Sequence, residues 1–341
     1  MNKIYRIALI GCGSMGAAHL DDICQMSHIE LSCVCDINPE RAQSFARQYH
    51  ASSYETNWRK VVASDNVDIV IICTYPSTHL EILEECIRHG KHVLCEKPIT
   101  QDIESGEKFF ELVRSNPQIK VLVGYILRHN KTYQKVAEMI QSGAIGFPIV
   151  MRMTQNHHTM DWQKYFNLIC ETSPIVDCGV HYLDVMRWCT GAEILEVNGI
   201  GLKTEADIPD GKYNYGLMTV RMSDGSMGYY EAGWGNTVAA ENLKEFIGPK
   251  GRIRITLQMS RAINQEEGDL IEYYTYPEEK YETINLLCKR KPTGDQLNAL
   301  ISMIEGKDDV KPTMEDVQKS FLWANKADEI IKKNLPNKNP K

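Results

Sequence analysis

Apolar and polar positions alternate in blocks along the first third of the chain, where short apolar runs separate longer amphipathic stretches. The apolar runs predict strands at residues 4–10, 29–35, 68–73, 93–95 and 119–123, and the stretches between them predict helices. The run at 68–73 is apolar at almost every position, which indicates a strand buried on both faces. Alternating strands and helices predict a doubly wound parallel sheet, so we expect an α/β domain over residues 1–123.

The pattern changes after residue 123. A helix is predicted at 131–142 and a strand begins near 148, and further runs predict antiparallel strands at 195–202, 213–222, 226–234, 242–247 and 252–258. Asp224-Gly225 marks a hairpin turn between two of them. Helices at 295–305 and 314–333 complete the chain, and the tail from Lys332 is expected to fray. We therefore expect a second domain over residues 124–341.

The composition is typical of a globular protein with hydrophobic cores. The 341 residues are enough for two domains, and hydrophobic residues make up 43% of the chain. The net charge of -7 argues against nucleic acid or an anionic membrane surface as a partner, because both require a basic face. No apolar run is long enough to span a membrane, and residues 1–10 do not resemble a cleavable signal. We expect a cytoplasmic protein.

The 11 cysteines and a pair of adjacent histidines raise the question of a metal site. No Cys-x-x-Cys pair occurs, and most cysteines lie in apolar segments, which is typical of reduced thiols that pack as small hydrophobic side chains. His157 and His158 are consecutive on a predicted strand, so their side chains point in opposite directions and make a poor chelate. We expect no metal, and we place His157 in the substrate pocket.

A glycine-rich turn joins the first predicted strand to the first predicted helix. Its spacing, G-x-G-x-x-G, permits a tight turn, close approach of the backbone to a pyrophosphate, and close packing of the helix on the strand. The N-terminus of the helix then faces the phosphates of a dinucleotide. The candidate cofactor contacts in this turn are Gly11, Gly13, Ser14, Met15 and Gly16.

The second predicted strand ends at Asp36, about 20 residues after the last glycine of the turn. A carboxylate at this offset accepts hydrogen bonds from the adenosine ribose and repels a 2′-phosphate. Arg41 lies nearby, but no arginine follows Asp36 directly. NAD is therefore favoured over NADP as the cofactor.

Two later strand ends also point to the ligand crevice of a parallel sheet. The loop at 74–79 is expected to line the nicotinamide side, with contacts from Thr74, Tyr75, Pro76 and His79. A plain strand-to-helix turn with Ser77 as N-cap is the alternative. The run at 93–95 ends at Glu96-Lys97-Pro98, which places Glu96 and Lys97 beside the cofactor, the alternative being an ordinary surface loop lysine.

One predicted helix in the second half carries a polar stripe. Asp177, His181, Asp184 and Trp188 follow one another at helical spacing and therefore share one face. An amphipathic helix with this stripe in solvent is the simplest alternative. Trp188 indicates instead that the face is covered, and a covered Asp–His pair is a candidate for proton transfer, because histidine titrates nearest neutrality.

These motifs together resemble the Gfo/Idh/MocA family of sugar and cyclitol dehydrogenases. The resemblance spans the whole chain in order and rests on Gly11-Cys12-Gly13-Ser14-Met15-Gly16, Glu96-Lys97-Pro98, Gly124-Tyr125-Ile126-Leu127-Arg128 and Asp177-Cys178-Gly179-Val180-His181. It implies an N-terminal Rossmann domain and a C-terminal α+β domain with a large, mostly antiparallel sheet. One face of that sheet packs towards the active site, and the other commonly forms contacts in a homodimer or homotetramer.

The resemblance also implies a catalytic set of Lys97, Asp177 and His181, converging on one substrate hydroxyl. We expect NAD-dependent oxidation of a secondary hydroxyl of a sugar, a sugar derivative or a cyclitol. His181 accepts the proton, Lys97 stabilises negative charge on the oxygen, and Asp177 orients His181 or holds a neighbouring hydroxyl. Besides the catalytic set, the expected substrate contacts are Tyr125, Arg128, His157 and Trp162. A non-catalytic dinucleotide-binding regulator and an NAD-dependent glycosidase acting through transient oxidation are the alternatives.

Overall fold

The computed structural model describes residues 3–261, 267–307 and 310–336. The chain divides into one unit of Met1–Ile126 and Lys291–Gln318 and another of Leu127–Arg290 and Lys319–Lys341. The first break falls three residues after the boundary that we predicted at 123. Residues 291–318, which the prediction placed in the second domain, group instead with the first unit. Of the predicted tail, residues 337–341 lie outside the described residues.

The first unit is built on a six-stranded sheet in which every pairing is parallel. Its strands are β1 (Tyr5–Ile10), β2 (Ile29–Cys35), β3 (Ser53–Glu55), β4 (Ile69–Ile72), β5 (His92–Cys95) and β6 (Val121–Val123). Its helices include α1 (Ser14–Ile23), α2 (Pro39–Gln48), α3 (Trp58–Val62), α4 (Pro76–Arg88) and α5 (Ile103–Ser115). The strand order β3-β2-β1-β4-β5-β6 reverses direction between β1 and β4, where doubly wound sheets form a ligand crevice. The predicted doubly wound sheet is confirmed.

The second unit is built on an eight-stranded sheet covered by helices on one face. Its helices include α6 (Lys131–Gln141), α7 (Trp162–Glu171) and α8 (Pro174–Thr190). Its strands are β7 (Val150–His158), β8 (Ile194–Leu202), β9 (Tyr215–Met222), β10 (Met227–Gly235), β11 (Lys244–Gly248), β12 (Gly251–Thr256), β13 (Asp269–Thr275) and β14 (Lys280–Leu286). Their order is β14-β13-β12-β11-β7-β10-β9-β8, and among these pairs β7 with β10 is parallel and the others are antiparallel. The predicted α+β architecture is confirmed.

Small residues let α8 approach the sheet closely. A Cβ atom at Gly179 of α8 would lie 3.4 Å from the ring of Tyr230, and one at Gly228 of β10 would lie 2.9 Å from the side chain of Met186. The helix therefore packs closely on the sheet at these two positions. Oligomer contacts through the opposite face of the sheet stay a prediction.

Two further helices follow the sheet, α9 (Thr293–Ile304) and α10 (Met314–Lys333). Leu297 and Leu300 of α9 belong to the same buried core as Leu20 of α1. Thr293 donates a hydrogen bond from its hydroxyl to Asp22 Oδ2 at 3.0 Å, and the backbone N–H of Gly294 donates to the same oxygen at 3.0 Å. These contacts explain why residues 291–318 belong to the first unit.

Candidate functional site

The glycine turn between β1 and α1 has the close approaches that its spacing predicts. Gly11 has φ of +102°, and a Cβ atom there would lie 2.5 Å from the carbonyl oxygen of Cys73. A Cβ atom at Gly16 would lie 2.3 Å from the carbonyl oxygen of Gly11. At Gly13, no heavy atom of the described residues lies within 4 Å of the corresponding position. The turn therefore requires glycine at positions 11 and 16, whereas the space beside Gly13, at the N-terminus of α1, is open.

Asp36 is buried at the carboxyl end of β2, beside the glycine turn. Its Oδ2 accepts a hydrogen bond from the backbone N–H of Cys12 at 3.0 Å, and its Oδ1 accepts one from the backbone N–H of Asn38 at 2.9 Å. Arg41 places Nη1 3.6 Å from Oδ2 and is 54% exposed. The carboxylate is thus held in a fixed orientation at the position predicted for ribose recognition.

The loop after β4 is held by a buried histidine. Helix α4 begins at Pro76 with Tyr75 as N-cap, so the alternative with Ser77 as N-cap is wrong. His79 is fully buried, and its Nε2 lies 3.1 Å from the carbonyl oxygen of Thr74. Burial lowers the pKa of His79, although hydrogen bonds to backbone groups oppose that shift. The neutral ring of His79 therefore supports the loop, whereas Tyr75 is exposed at its surface.

Lys97 follows the carboxyl end of β5, where it is half-buried, and the Lys97–Pro98 peptide bond is cis. Glu96, predicted as a cofactor contact, is buried and pairs with His19 of α1. The sequence reading missed His19, which lies three residues after the last glycine of the turn. In the first unit, the glycine turn, Asp36 and Lys97 therefore all lie at the carboxyl ends of the parallel strands.

Asp177 and His181 lie one turn apart on α8. The helix begins at Pro174 because the Ser173 hydroxyl accepts a hydrogen bond from the backbone N–H of Val176 at 3.1 Å. His181 is 9% exposed and Asp177 is half-buried, so the polar stripe is covered and the solvated alternative is wrong. The thiol of Cys178 donates a hydrogen bond to Asp177 Oδ2 at 3.2 Å.

Arg128 forms a buried ion pair with the third residue of the stripe. Its Nε and Nη2 donate hydrogen bonds to the two carboxylate oxygens of Asp184 at 2.6 and 2.8 Å. The guanidinium carbon also lies 4.8 Å from the ring centroid of Trp188. These contacts use Nε and Nη2 of Arg128 and anchor α8, and the expected contact of Arg128 with substrate stays a prediction.

A chain of polar side chains runs from α8 to β7. The hydroxyl of Tyr182 donates a hydrogen bond to Gln155 Oε1 at 2.7 Å, and Gln155 Nε2 lies 3.1 Å from His157 Nε2. The ring of His157 lies 5.9 Å from that of Tyr165, and the neighbouring His158 is exposed. The two histidines thus lie on opposite faces of β7, as the strand geometry predicts.

Two other predicted substrate contacts have packing roles. Tyr125 is 1% exposed, and its hydroxyl donates a hydrogen bond to the carbonyl oxygen of Val317 at 3.4 Å, within the first unit. Trp162 donates a hydrogen bond from Nε1 to Asp207 Oδ2 at 2.7 Å and packs on a small core around Trp234. Tyr125 is thus buried in the first unit, and the core contacts favour the packing interpretation of Trp162, while the two substrate contacts stay predictions.

Lys244 on β11 is a buried cation that the sequence reading did not identify. Its Nζ donates hydrogen bonds to the carbonyl oxygen of Thr154 and to Asn242 Oδ1, both at 2.6 Å, and lies 4.5 Å from the ring centroid of Tyr182. Burial lowers the pKa of Lys244 to about 7, with the charge of Glu241 opposing the shift. The polar chain from Tyr182 to His157 therefore begins beside the buried Lys244.

The free energy of unfolding is expected to depend on pH through Lys244. An unfolded lysine has a pKa of about 10.4, so between pH of about 7 and 10 the unfolded chain binds more protons at this residue than the folded chain. The stability contributed by this site therefore rises with pH across that window. Chemical unfolding of the wild type and Lys244→Met at several pH values measures this slope. Parallel slopes for the two proteins would contradict the assignment.

The described residues present neither a metal-binding cluster nor a helix that could span a membrane. Within residues 3–261, 267–307 and 310–336, no group of three or more His, Cys, Asp or Glu side chains is placed to hold a metal ion. Over the same residues, no helix combines the length and apolar character needed to cross a membrane. The catalytic set lies partly in each unit, and its convergence on one hydroxyl stays a prediction.

Both parts of the chain match described protein families. Residues 5–125 match an oxidoreductase family with an NAD-binding Rossmann fold. Residues 133–254 match the GFO/IDH/MocA C-terminal domain. The two matches follow each other in the order of the two folded units and together include Lys97, Asp177 and His181.

Relatives and solved structures agree with these matches. The chain is 24% identical over 275 residues to myo-inositol 2-dehydrogenase of Thermotoga maritima, covering 80% of this chain and 81% of the relative. It is 27% identical over 261 residues to scyllo-inositol 2-dehydrogenase (NAD(+)) of Bacillus subtilis, covering 75% of each. The crystal structure of myo-inositol 2-dehydrogenase from Lactobacillus plantarum superposes with a TM-score of 0.80 at 20% identity, covering 96% of this chain and 97% of that one. At this identity the superposition supports the fold.

Proposed function

Because the chain belongs to the Gfo/Idh/MocA family of oxidoreductases, we propose that it is an NAD-dependent dehydrogenase that oxidises a secondary hydroxyl of a cyclitol. The relatives include dehydrogenases named for myo-inositol and scyllo-inositol, so these two cyclitols are the first candidates. The observation that carries the proposal is the covered Asp177–His181 pair on α8, in a chain whose β5 leads into Lys97.

The first unit fits NAD. The open position at Gly13, the start of α1 and the fixed carboxylate of Asp36 supply space, backbone N–H groups and a ribose acceptor. When bound, NAD accepts a hydride from the carbinol carbon, and the alcohol becomes a ketone. A solved structure of scyllo-inositol dehydrogenase from Lactobacillus casei with bound NAD(H) and scyllo-inositol has the same fold, with a TM-score of 0.77 at 24% identity over 97% of this chain and 98% of that one.

The proposed roles follow from the chemistry of three side chains. His181 accepts the hydroxyl proton, since imidazole is the side chain whose pKa lies nearest neutrality. Lys97 donates a hydrogen bond to the reacting oxygen and stabilises negative charge on it. Asp177 orients His181 or holds a neighbouring hydroxyl, and the thiol of Cys178 donates to its carboxylate. On β7, His157 supplies a further polar contact for the cyclitol ring.

A substrate panel tests the proposal directly. The purified wild type is assayed for NAD reduction with inositols, linear polyols and aldoses, and thermal shifts are measured with each compound in the presence of NAD. We expect at least one inositol to reduce NAD and to raise the melting temperature, because selective binding stabilises the folded state. We also expect kcat/KM to be higher with NAD than with NADP, since Asp36 repels a 2′-phosphate. Reduction of NAD by aldoses but by no inositol would contradict the cyclitol assignment.

A further inference from the structure

A buried imidazole–carboxylate pair lies next to Lys97 in the first unit. His19 is 0% and Glu96 is 6% exposed, and His19 Nε2 lies 2.8 Å from Glu96 Oε1. The other carboxylate oxygen of Glu96, Oε2, accepts a hydrogen bond from the backbone N–H of Lys97 at 3.3 Å. One carboxyl group therefore contacts both the helix of the glycine turn and the peptide of the lysine.

Glu96 is ionised in spite of its burial. Burial by itself raises the pKa of Glu96, but the hydrogen bond from His19 and the charges of His19 and Lys97 outweigh it and lower the pKa below its ordinary value. An ionised carboxylate accepts hydrogen bonds and donates none, so Nε2 of His19 carries the shared hydrogen. The residue that precedes Lys97 in the chain therefore carries a buried negative charge.

The glycine at position 124 leaves room for this carboxylate. A Cβ atom at Gly124, just beyond β6, would lie 3.0 Å from Cδ, Oε1 and Oε2 of Glu96. His19 contacts the carboxylate from α1, which is itself held closely to β1 through Gly16. The glycine at 124, the imidazole and the peptide of Lys97 together determine where the charge lies.

We propose that His19 and Glu96 are a positioning pair for Lys97. The carboxylate favours the protonated form of the lysine and holds its peptide, and His19 keeps the carboxylate ionised and correctly oriented. A buried carboxylate costs desolvation energy, so the presence of this imidazole–carboxylate pair beside Lys97 calls for a functional reason. This inference rests on the proposed function for the role of Lys97, but not for the effect of the pair on its protonation.

The first experiment measures the protonation of Lys97 without any substrate. Wild type and Glu96→Gln are trace-acetylated with acetic anhydride across a pH series, and the acetylation of Lys97 relative to exposed Lys108 is quantified by mass spectrometry. Since only the neutral amine reacts, we expect Lys97 to acetylate about 3- to 10-fold faster at a given pH in Glu96→Gln. His19→Gln, whose amide still donates a hydrogen bond, is expected to behave like the wild type, whereas His19→Leu resembles Glu96→Gln.

Kinetics and a second variant separate positioning from folding. In Glu96→Gln and His19→Leu we expect kcat to fall by about 10- to 100-fold and the alkaline limb of the pH profile to move to lower pH, while the Kd of NAD changes by less than about threefold. Gly124→Ala displaces the carboxylate but keeps its charge, so kcat falls without the change in acetylation. His89, the C-cap of α4, lies with Nε2 3.8 Å from Oε2 of Glu85, and their side chains are 42% and 23% exposed. His89→Gln and Glu85→Gln provide the controls, which leave Lys97 unaffected.

The outcomes keep the two proposals apart. An acetylation profile of Lys97 in Glu96→Gln that superimposes on that of the wild type overturns the positioning role, even if kcat is lost. Faster acetylation of Lys97 in Glu96→Gln supports the positioning role. If, in addition, the wild type does not reduce NAD with any substrate of the panel, the dehydrogenase assignment is wrong while the positioning role stands.

Discussion

Lys97→Met is expected to lower kcat by roughly 10²-fold or more, while the Kd of NAD stays within about threefold of the wild-type value. Methionine keeps most of the length and apolar volume of the half-buried lysine but has no ammonium group to donate to the reacting oxygen. The loss is expected in kcat and kcat/KM alike, because the interaction strengthens as negative charge develops on the oxygen. Steady-state kinetics with the best substrate of the panel and calorimetric titration with NAD measure the two quantities.

Lys108→Met is the matched control for this variant. Lys108 lies on α5 in the same unit, is 60% exposed and pairs with Glu104 at 2.7 Å. Its replacement removes one ammonium group from the surface and should leave kcat unchanged. Full activity of Lys97→Met on the true substrate would show that the lysine has no part in the chemistry, and loss of NAD binding would show that its role is structural.

Arg128→Met is expected to lower the free energy of unfolding by about 3–5 kcal/mol, the typical cost of removing one partner of a buried ion pair. The side chains of Arg128 and Asp184 are 7% and 2% exposed, so the substitution removes two charge-assisted hydrogen bonds from a buried carboxylate. In the double variant Arg128→Met/Asp184→Leu most of this loss is expected to be recovered, because no buried charge is left uncompensated. Urea unfolding measures both values.

A surface pair in the same unit provides the comparison. Arg221 and Glu196 form an Arg–carboxylate contact of 2.6 Å with side chains 66% and 47% exposed. Solvent screens such pairs, so Arg221→Met is expected to change stability far less. An equal loss in Arg128→Met and Arg221→Met would mean that the buried pair does not anchor α8.

Local patterns account for most of the architecture. The observed bounds of β2 and α10 coincide with the predicted residues 29–35 and 314–333, because apolar runs and flanking glycine or proline residues are local signals. Two short elements were missed for different reasons. Strand β3 has three residues without an apolar pattern and forms through its pairing with β2. Helix α7 has a capping residue, since Asp161 accepts a hydrogen bond from the backbone N–H of Lys164. Its aromatic residues Trp162 and Tyr165 were interpreted as surface or core-covering side chains, and no helix was predicted there.

The candidate site was predictable where the chemistry depends on one segment. The glycine turn and the Asp177–His181 stripe follow from spacing within one segment. Asp36 follows from its offset to the turn, and Lys97 follows from its place at a strand end and from motif resemblance. Contacts between distant segments were not predictable: His19 and Glu96 are 77 residues apart, and Arg128 and Asp184 are 56 residues apart. Motif resemblance marked Tyr125 and Arg128 as substrate contacts, but it did not reveal the buried hydrogen bonds that both side chains form.

The transfer of deuterium from substrate to cofactor is the measurement that tests the central claim most directly. The wild type is incubated with NAD and scyllo-inositol or myo-inositol deuterated at the ring carbons, and the reduced cofactor is analysed by mass spectrometry and NMR. The account predicts one deuterium at C4 of the nicotinamide and an equimolar inosose, with both products strongly reduced in Lys97→Met. Tight binding of NAD and inositol with no deuterium transferred to the cofactor would contradict it.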